Sequence, residues 1–211
     1  MLCRSAIGCD KPFSPIGLDI DGTSSVERIE GEFSIDVTGD GEIETLNEWF
    51  APTEGILINT NIAIEDGAVT GQHLFGDQGG TYADGFEKLA LLDANRDGQV
   101  AGAELDGLAI WTDANSNAKL DAGEMSTLAD HGVVSLSTSH TSFVSQATLA
   151  DGSSMMMEDL WFPVVLAPAP AQSSASALSI AAISAAVLAA LLVLAKSVGS
   201  TLRRRDAELV A

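Results

Sequence analysis

Cysteine is nearly absent from this chain. Cys3 and Cys9 are its only two among 211 residues, which excludes a disulfide-dense scaffold and a cysteine zinc cluster. Basic residues are scarce, ten Lys and Arg against thirty Asp and Glu. Contact with nucleic acid needs clustered cations to neutralise phosphate, so the deficit argues against such a partner. Histidine is limited to His73, His131 and His140. None sits in a nucleophile-elbow pattern or a paired metal-ligand pattern, so the expectation is a binding protein and not an enzyme. A signal-peptide pattern is also missing, because Arg4, Asp10 and Lys11 interrupt what would be its apolar stretch.

What is present is segregated. The net charge is −20, yet mean hydropathy is +0.22. Residues 1–165 hold 28 acids and 6 bases, whereas 166–211 hold 2 acids and 4 bases. The acidic body is long enough for one domain with a real core. Residues 1–12 are expected to be a disordered N-terminal segment, 13–165 the folded module, and 166–177 a Pro/Ala/Ser linker. The stretch from Leu178 to Ala195 is uncharged and would reach about 27–30 Å as a helix, enough to cross a bilayer. The sequence therefore predicts a transmembrane helix over 178–198 and a basic cytoplasmic tail over 199–211, with Lys196 and Arg203 to Arg205 holding the C-terminus inside. The acidic module would lie outside, anchored to the membrane by that helix.

Within the module, Ile16 to Gly22, Phe33 to Asp36 and Gly55 to Ile64 alternate apolar and polar residues, as short strands do. Residues 84–130 change period. Phe86, Leu89 and Ala90 have helical spacing, Leu105, Leu108, Ala109 and Trp111 make a second apolar face, and Met125 with Leu128 start a third that stops at Gly132. Strand character returns at 133–137, 142–149 and 155–162.

The sharpest local signal runs from Asp93 to Glu104. Asp93, Asn95 and Asp97 place side-chain oxygens at positions 1, 3 and 5 of a 12-residue loop, and Gly98 permits the turn at position 6. Gln99 offers a carbonyl at position 7, Val100 is apolar at position 8, and Glu104 closes the loop as a bidentate carboxylate. Ca²⁺ takes six to eight oxygens, which is why alternate residues of a tight turn must carry them. A second loop follows with Asp113, Asn115, Asn117, the carbonyl of Lys119, Asp121 and Glu124, but Ala118 stands where Gly belongs. Positive φ at Ala costs about 1 kcal/mol, which weakens the loop without abolishing it. The loops start 20 residues apart, so a single helix over about 102–112 is expected to serve both, with Trp111 packed in its core face. A third candidate, at a strand turn, uses Asp36, Thr38, Asp40 and Glu44; Asp19 and Asp21 are candidates to share it. Residues 62–73 keep the Asp66-Gly67-x-Val69 core but put Ile62, Ile64 and His73 at ligand places, and read as a degenerate loop.

The order of these pieces carries a resemblance. Leu18-Asp19-Ile20-Asp21-Gly22, Ile35 to Gly41, Leu74-Phe75-Gly76-Asp77, Ala83 to Leu89, Trp111-Thr112-Asp113, Gly132 to Leu136 and Asp159 to Phe162 follow one another over about 15–165. In this the chain resembles the EF-hand-bearing module of large secreted bacterial calcium-binding proteins associated with haemolysin-type (repeats-in-toxin) proteins. The resemblance implies an extracytoplasmic Ca²⁺ binder. The expected fold class is α+β, with short strands and Asp/Gly turns around an EF-hand-like helix–loop–helix–loop–helix pair, plus the C-terminal transmembrane helix. The expected function is Ca²⁺ binding by a membrane-anchored, EF-hand-containing protein, the ion being mainly structural. The alternative is a calcium-dependent adhesion or sensor module that binds a protein partner at the cell surface.

Overall fold

The computed structural model describes residues 13–163. They form an open, eight-stranded antiparallel sheet curved as a half-barrel, with a two-stranded ribbon attached. The strands are β1 (Ile16–Leu18), β2 (Arg28–Ile35), β3 (Glu44–Phe50), β4 (Gly55–Asn59), β5 (Gln99–Ala101), β6 (Leu108–Trp111), β7 (Met125–Thr127), β8 (Val133–Ser137), β9 (Val144–Leu149) and β10 (Ser154–Asp159). In the sheet they follow the order β5-β8-β9-β10-β1-β4-β6-β7, and β2 with β3 makes the ribbon. The α-helical content is a single five-residue helix, α1 (Gly85–Leu89), among the described residues.

Period-2 alternation explains the layers. On β4, Ile56 and Ile58 face one side and Leu57 the other; on β6, Ala109 and Trp111 oppose Leu108 and Ile110. These two strands are apolar on both faces, so both faces must be covered. The ribbon covers the first with Phe33, Leu46, Trp49 and Phe50. The second packs on Phe86 and Leu89 of α1 and on Leu136, Ala147 and Met157 of β8, β9 and β10. Gly17 of β1 lets the ribbon close in: a Cβ there would lie 2.4 Å from the Phe50 ring. Lys88 fixes α1 by donating to the carbonyls of Gly71, Gln72 and Leu74 at 2.7, 3.1 and 2.7 Å.

The expected α+β helix–loop–helix–loop–helix is thus corrected to a β half-barrel. Leu105 to Trp111 matches a helical face, but Leu108-Ala109-Ile110-Trp111 is also an unbroken apolar run of strand length. It pairs with β4 from Asn59↔Leu108 to Ile56↔Trp111. Gly102 and Gly107 have φ of +59° and +78°, which no α-helix crosses. The expected shared helix shrinks to one 3₁₀ turn, Gly102–Leu105. Met125 belongs to β7, and Leu128–His131 is a single 3₁₀ turn between Thr127, whose side chain accepts the Asp130 amide, and left-handed Gly132. The Gly132 stop stands where the sequence placed it. No helix among the described residues is long and apolar enough to cross a membrane. The expected segment 178–198 lies outside the described residues, as do the N-terminal segment, the linker and the tail. This corrects the expected membrane anchor and single-pass topology, for which the described residues supply no spanning helix.

One buried acid makes this fold sensitive to pH. Asp159, 1% exposed, accepts the Gly85 amide at 2.9 Å at the start of α1. Burial pushes its carboxyl from the ordinary 3.8 up to about 7, with Asp84 and Asp77 adding to the rise. A raised carboxyl favours the fold below its unfolded value, and this contribution is lost as pH climbs from about 4 to 7, with a limiting slope of roughly 1.4 kcal/mol per pH unit. Asp159→Asn keeps an acceptor for Gly85 and removes the titration. Melting from pH 5 to 8 in chelator should therefore fall more steeply for the parent than for the variant; parallel curves would assign the slope to another group.

Candidate functional site

Three loops present oxygens in one recurrent arrangement. In the first, Asp93 accepts the Asp97 amide on Oδ1 at 3.1 Å and the Gly98 amide on Oδ2 at 2.9 Å. Asn95 Oδ1 accepts the same Asp97 amide at 2.8 Å, and Asp97 Oδ1 accepts that of Gln99 at 2.9 Å. Glu104 reaches back across the loop, where its carboxylate accepts the amides of Ala94, Asn95 and Ala101. Val100 is fully buried and holds the loop to the core. The 12-residue loop is therefore formed, but α1 with one 3₁₀ turn leads in and another leads out. The loop persists without the flanking helices that define an EF-hand.

The second loop joins β6 to β7 and is wired into the core. Asp113, 1% exposed, accepts the Asn117 amide at 3.0 Å, the Ala118 amide at 2.8 Å and the Trp49 indole at 2.9 Å. Burial raises its carboxyl, against the pull of these donors. Glu124 accepts the Ala114 amide at 3.1 Å, the Asp121 amide at 2.9 Å and the Trp111 indole at 3.3 Å. Asn115 and Asn117 both donate to Asp121 Oδ2, at 2.8 and 2.7 Å, and hold its carboxyl below the usual range. Lys119, whose side chain is exposed, donates its amide to Asn117 Oδ1. Ala118 adopts φ +55°, the strained value expected there. Trp111 is packed as expected, but it and Trp49 also orient loop carboxylates. No spacing along the chain pairs those two indoles with their acids, since Trp49 lies 64 residues from Asp113.

The third loop is the ribbon tip. Asp36 accepts the amides of Gly39, Asp40 and Gly41 at 2.6, 3.1 and 2.9 Å, and Thr38 donates to it at 3.3 Å. Glu44 accepts the Val37 amide at 2.9 Å, the role Glu104 and Glu124 play in the longer loops. Burial, with Asp40 and Asp36 close by, raises the Glu44 carboxyl. The degenerate stretch braces both neighbours: Leu120 donates to the Gly67 carbonyl at 2.9 Å, and Gly71 to the Asp36 carbonyl at 2.7 Å. Asp19 and Asp21 do not join the third loop. They meet Glu54, each of the three bringing a carboxylate oxygen within 4.8 Å of the others, a spacing that a divalent ion can bridge. Every donor offered in these places is oxygen, which suits a hard cation.

The histidines lie elsewhere. His140 stacks on Phe86 and Phe143 with centroids 4.9 and 5.7 Å apart and faces Asp84 at 3.2 Å. His73 receives the Thr70 amide at 3.0 Å, and His131 pairs with Ser126 at 2.8 Å.

Residues 16–163 match the model of the SPM domain. The chain belongs to the SPM domain family. The iron-regulated protein FrpA of Neisseria meningitidis serogroup C is 31% identical over 137 residues, which cover 59% of this chain and 12% of FrpA. The chain thus spans about an eighth of that relative's length. These findings support distant homology to FrpA, the coarser part of the resemblance drawn from the sequence, and do not extend to its finer part, an EF-hand module.

The Trp49–Asp113 contact can be isolated by a double-mutant cycle of Trp49→Phe and Asp113→Ala in denaturant unfolding. A hydrogen bond to a buried charge should give a coupling of about 1.5–3 kcal/mol. Additive effects would reduce Trp49 to packing alone.

Proposed function

We propose that this SPM domain binds Ca²⁺ in its oxygen-lined loops, and that the ion sets a surface which a protein partner recognises. The ligands are Asp93, Asn95, Asp97, Glu104 and the Gln99 carbonyl in the first loop. In the second they are Asp113, Asn115, Asn117, Asp121, Glu124 and the Lys119 carbonyl. Asp36, Thr38, Asp40 and Glu44 serve the ribbon tip. What supports the cation is the repeated pairing of an opening aspartate held by two amides with a closing glutamate folded back over the loop. Carboxylates gathered this closely repel one another until a cation joins them.

The observation that favours a partner is where the apolar residues are left in solvent. Ile43 and Leu91 are each 66% exposed and Met125 is 53% exposed. Ile43 adjoins Glu44, Leu91 precedes Asp93 by two residues, and Met125 adjoins Glu124. Each loop thus carries an exposed apolar side chain beside a proposed ligand, where ion-dependent ordering of the loop would position it. Brought together as one patch rimmed by polar residues, such side chains form an interaction surface.

Full-chain protein in saturating Ca²⁺ should melt roughly 5–10 °C higher than in chelator, because a ligand at 100-fold excess over its Kd stabilises by about 2.7 kcal/mol. Retention on phenyl resin should differ between the two conditions. Ile43→Ser, Leu91→Ser and Met125→Ser together should abolish that difference and leave Ca²⁺ uptake intact. Identical melts with and without the ion would overturn the cation reading; retention indifferent to Ca²⁺ would overturn the surface.

A further inference from the structure

We propose that β7 and the groove beside it take up an extended segment of a partner protein, paired to Met125, with apolar side chains facing in and Lys or Arg facing out. The proposal rests on the reading above that the surface around Met125 recognises a partner, and it gives that partner a chemistry.

The open sheet has two edges, β5 and β7. Unpaired backbone groups along an edge invite another strand unless something caps them. At β5, Thr138 donates to the Gly98 carbonyl at 3.0 Å. Hydrogen-bonded pairs alternate along an antiparallel ladder, so Gln99 and Ala101 turn their backbone groups outward. Both outward amides are capped, Gln99 by Asp97 at 2.9 Å and Ala101 by Glu104 at 3.1 Å. At β7, Thr112 donates to the Glu124 carbonyl at 2.9 Å, which by the same alternation turns Met125 and Thr127 outward. Asp130 caps the Thr127 amide at 2.8 Å. Among the described residues no carboxylate caps the Met125 amide. One edge is closed by its own loops, and the other is left open at Met125.

A groove of about 500 Å³ lies beside that opening. Met125 pairs with Trp111 and so stands on the sheet face that carries the ribbon. Ile62, Ile64 and Leu120 line the groove with it, and Ile64 and Leu120 also pack against the core beneath the ribbon. This gives the degenerate stretch 62–73 a use. Ile62 and Ile64 stand where loop ligands would, and in the fold they wall an apolar slot. Asp121 lines the groove as well, so a cation in the second loop bears on its shape.

Charge decides the occupant. Glu65 and Asp66 follow Ile64 on one side and Asp130 caps β7 on the other, all three exposed. Lys119, beside Gly67, is the base on that rim. Hydrogen bonds from Thr127 hold the Asp130 carboxyl below the usual range. A second copy of the chain would bring the same acids and a further −20 of charge to this rim, which repels it. A cationic segment is attracted instead. Strand addition then supplies main-chain hydrogen bonds and a slot for alternate side chains.

The test is fluorescence anisotropy of the full chain with a labelled peptide, Lys-Val-Lys-Val-Lys-Val-Lys, in saturating Ca²⁺ and at physiological salt, where loose surface attraction is screened. The peptide should bind saturably, and its Glu-for-Lys and Ser-for-Val forms at least tenfold more weakly. A residue paired with Met125 shares its face, so N-methylation of the valines should cost at least tenfold and N-methylation of the lysines should not. Ile62→Asp and Met125→Pro should each weaken binding at least tenfold, whereas Ile43→Ser, outside the groove, should leave it unchanged; unshifted melts verify that the variants fold. Absence of saturable binding, or equal binding of the two N-methylated forms, would overturn the edge site and leave the Ca²⁺-dependent melt and resin retention as they stand. Self-association of the chain that Ile62→Asp abolishes would give the groove to a second copy and overturn the partner. Peptide binding equal in Ca²⁺ and chelator, yet lost in Ile62→Asp, would retain the groove and overturn the ion-set surface, so the two fail separately.

Discussion

The hydrogen bond from the Trp49 indole to Asp113 joins the core to the acidic loops. Trp49 lies at the centre of an aromatic group, with Phe33, Phe50, Trp111 and Phe162 at centroid distances of 5.3–6.4 Å. Phe33, Trp49 and Phe50 of that group are what the ribbon lays over β4 and β6, and without them one face of those strands would meet water. The same indole donates to the carboxylate that opens the second loop. Packing and charge placement are therefore settled together: a core that holds Trp49 in place also holds Asp113 in place. Trp111 repeats the device for Glu124 from the opposite wall. Buried polar groups need such partners, and here the partners are core side chains rather than loop neighbours.

The loops were legible in the sequence because their chemistry is local. Oxygens at alternate residues, followed by a closing glutamate, survive as a pattern whatever leads in and out. The flanking elements were not legible for a definite reason. Leu105, Leu108, Ala109 and Trp111 satisfy a helical period, yet four of the residues from 108 to 111 are consecutive and apolar, and such a run suits a strand buried on both faces equally well. The partner strand decided the matter, since Leu108 to Trp111 completes the ladder with β4. Gly102 and Gly107, inside the expected helix over about 102–112, are the places where the backbone turns left-handed. Strands 133–137, 142–149 and 155–162 were close to the observed β8, β9 and β10, where alternation is unambiguous. The indole contacts and Glu54 are long-range and leave no trace in spacing.

Charge distribution also takes on a different meaning in the fold. An excess of acids on a soluble surface is ordinarily a matter of solubility. Here several acids are buried: Asp19, Asp36, Glu54, Asp77, Asp113, Glu124 and Asp159. Most cap a turn by receiving amide hydrogens, so the carboxylates replace the helix and strand partners that those amides lack. The small SPM core and its many irregular connections are thus two sides of one design, in which side-chain oxygens do for the loops what ladders do for the strands.

The stretch around Gly67 shows what remains when a loop has no ligands to offer. A Cβ on Gly67 would lie 2.3 Å from the Leu120 carbonyl oxygen, and one on Gly71 would lie 2.1 Å from that of Val37. This segment is a shared wall, fitted on one side to the second loop and on the other to the ribbon tip. Neither loop can shift against it without the wall shifting toward or away from the other. The two are mechanically in series, and a displacement of one has a defined route to the other through the five residues from Gly67 to Gly71, which need bind nothing themselves.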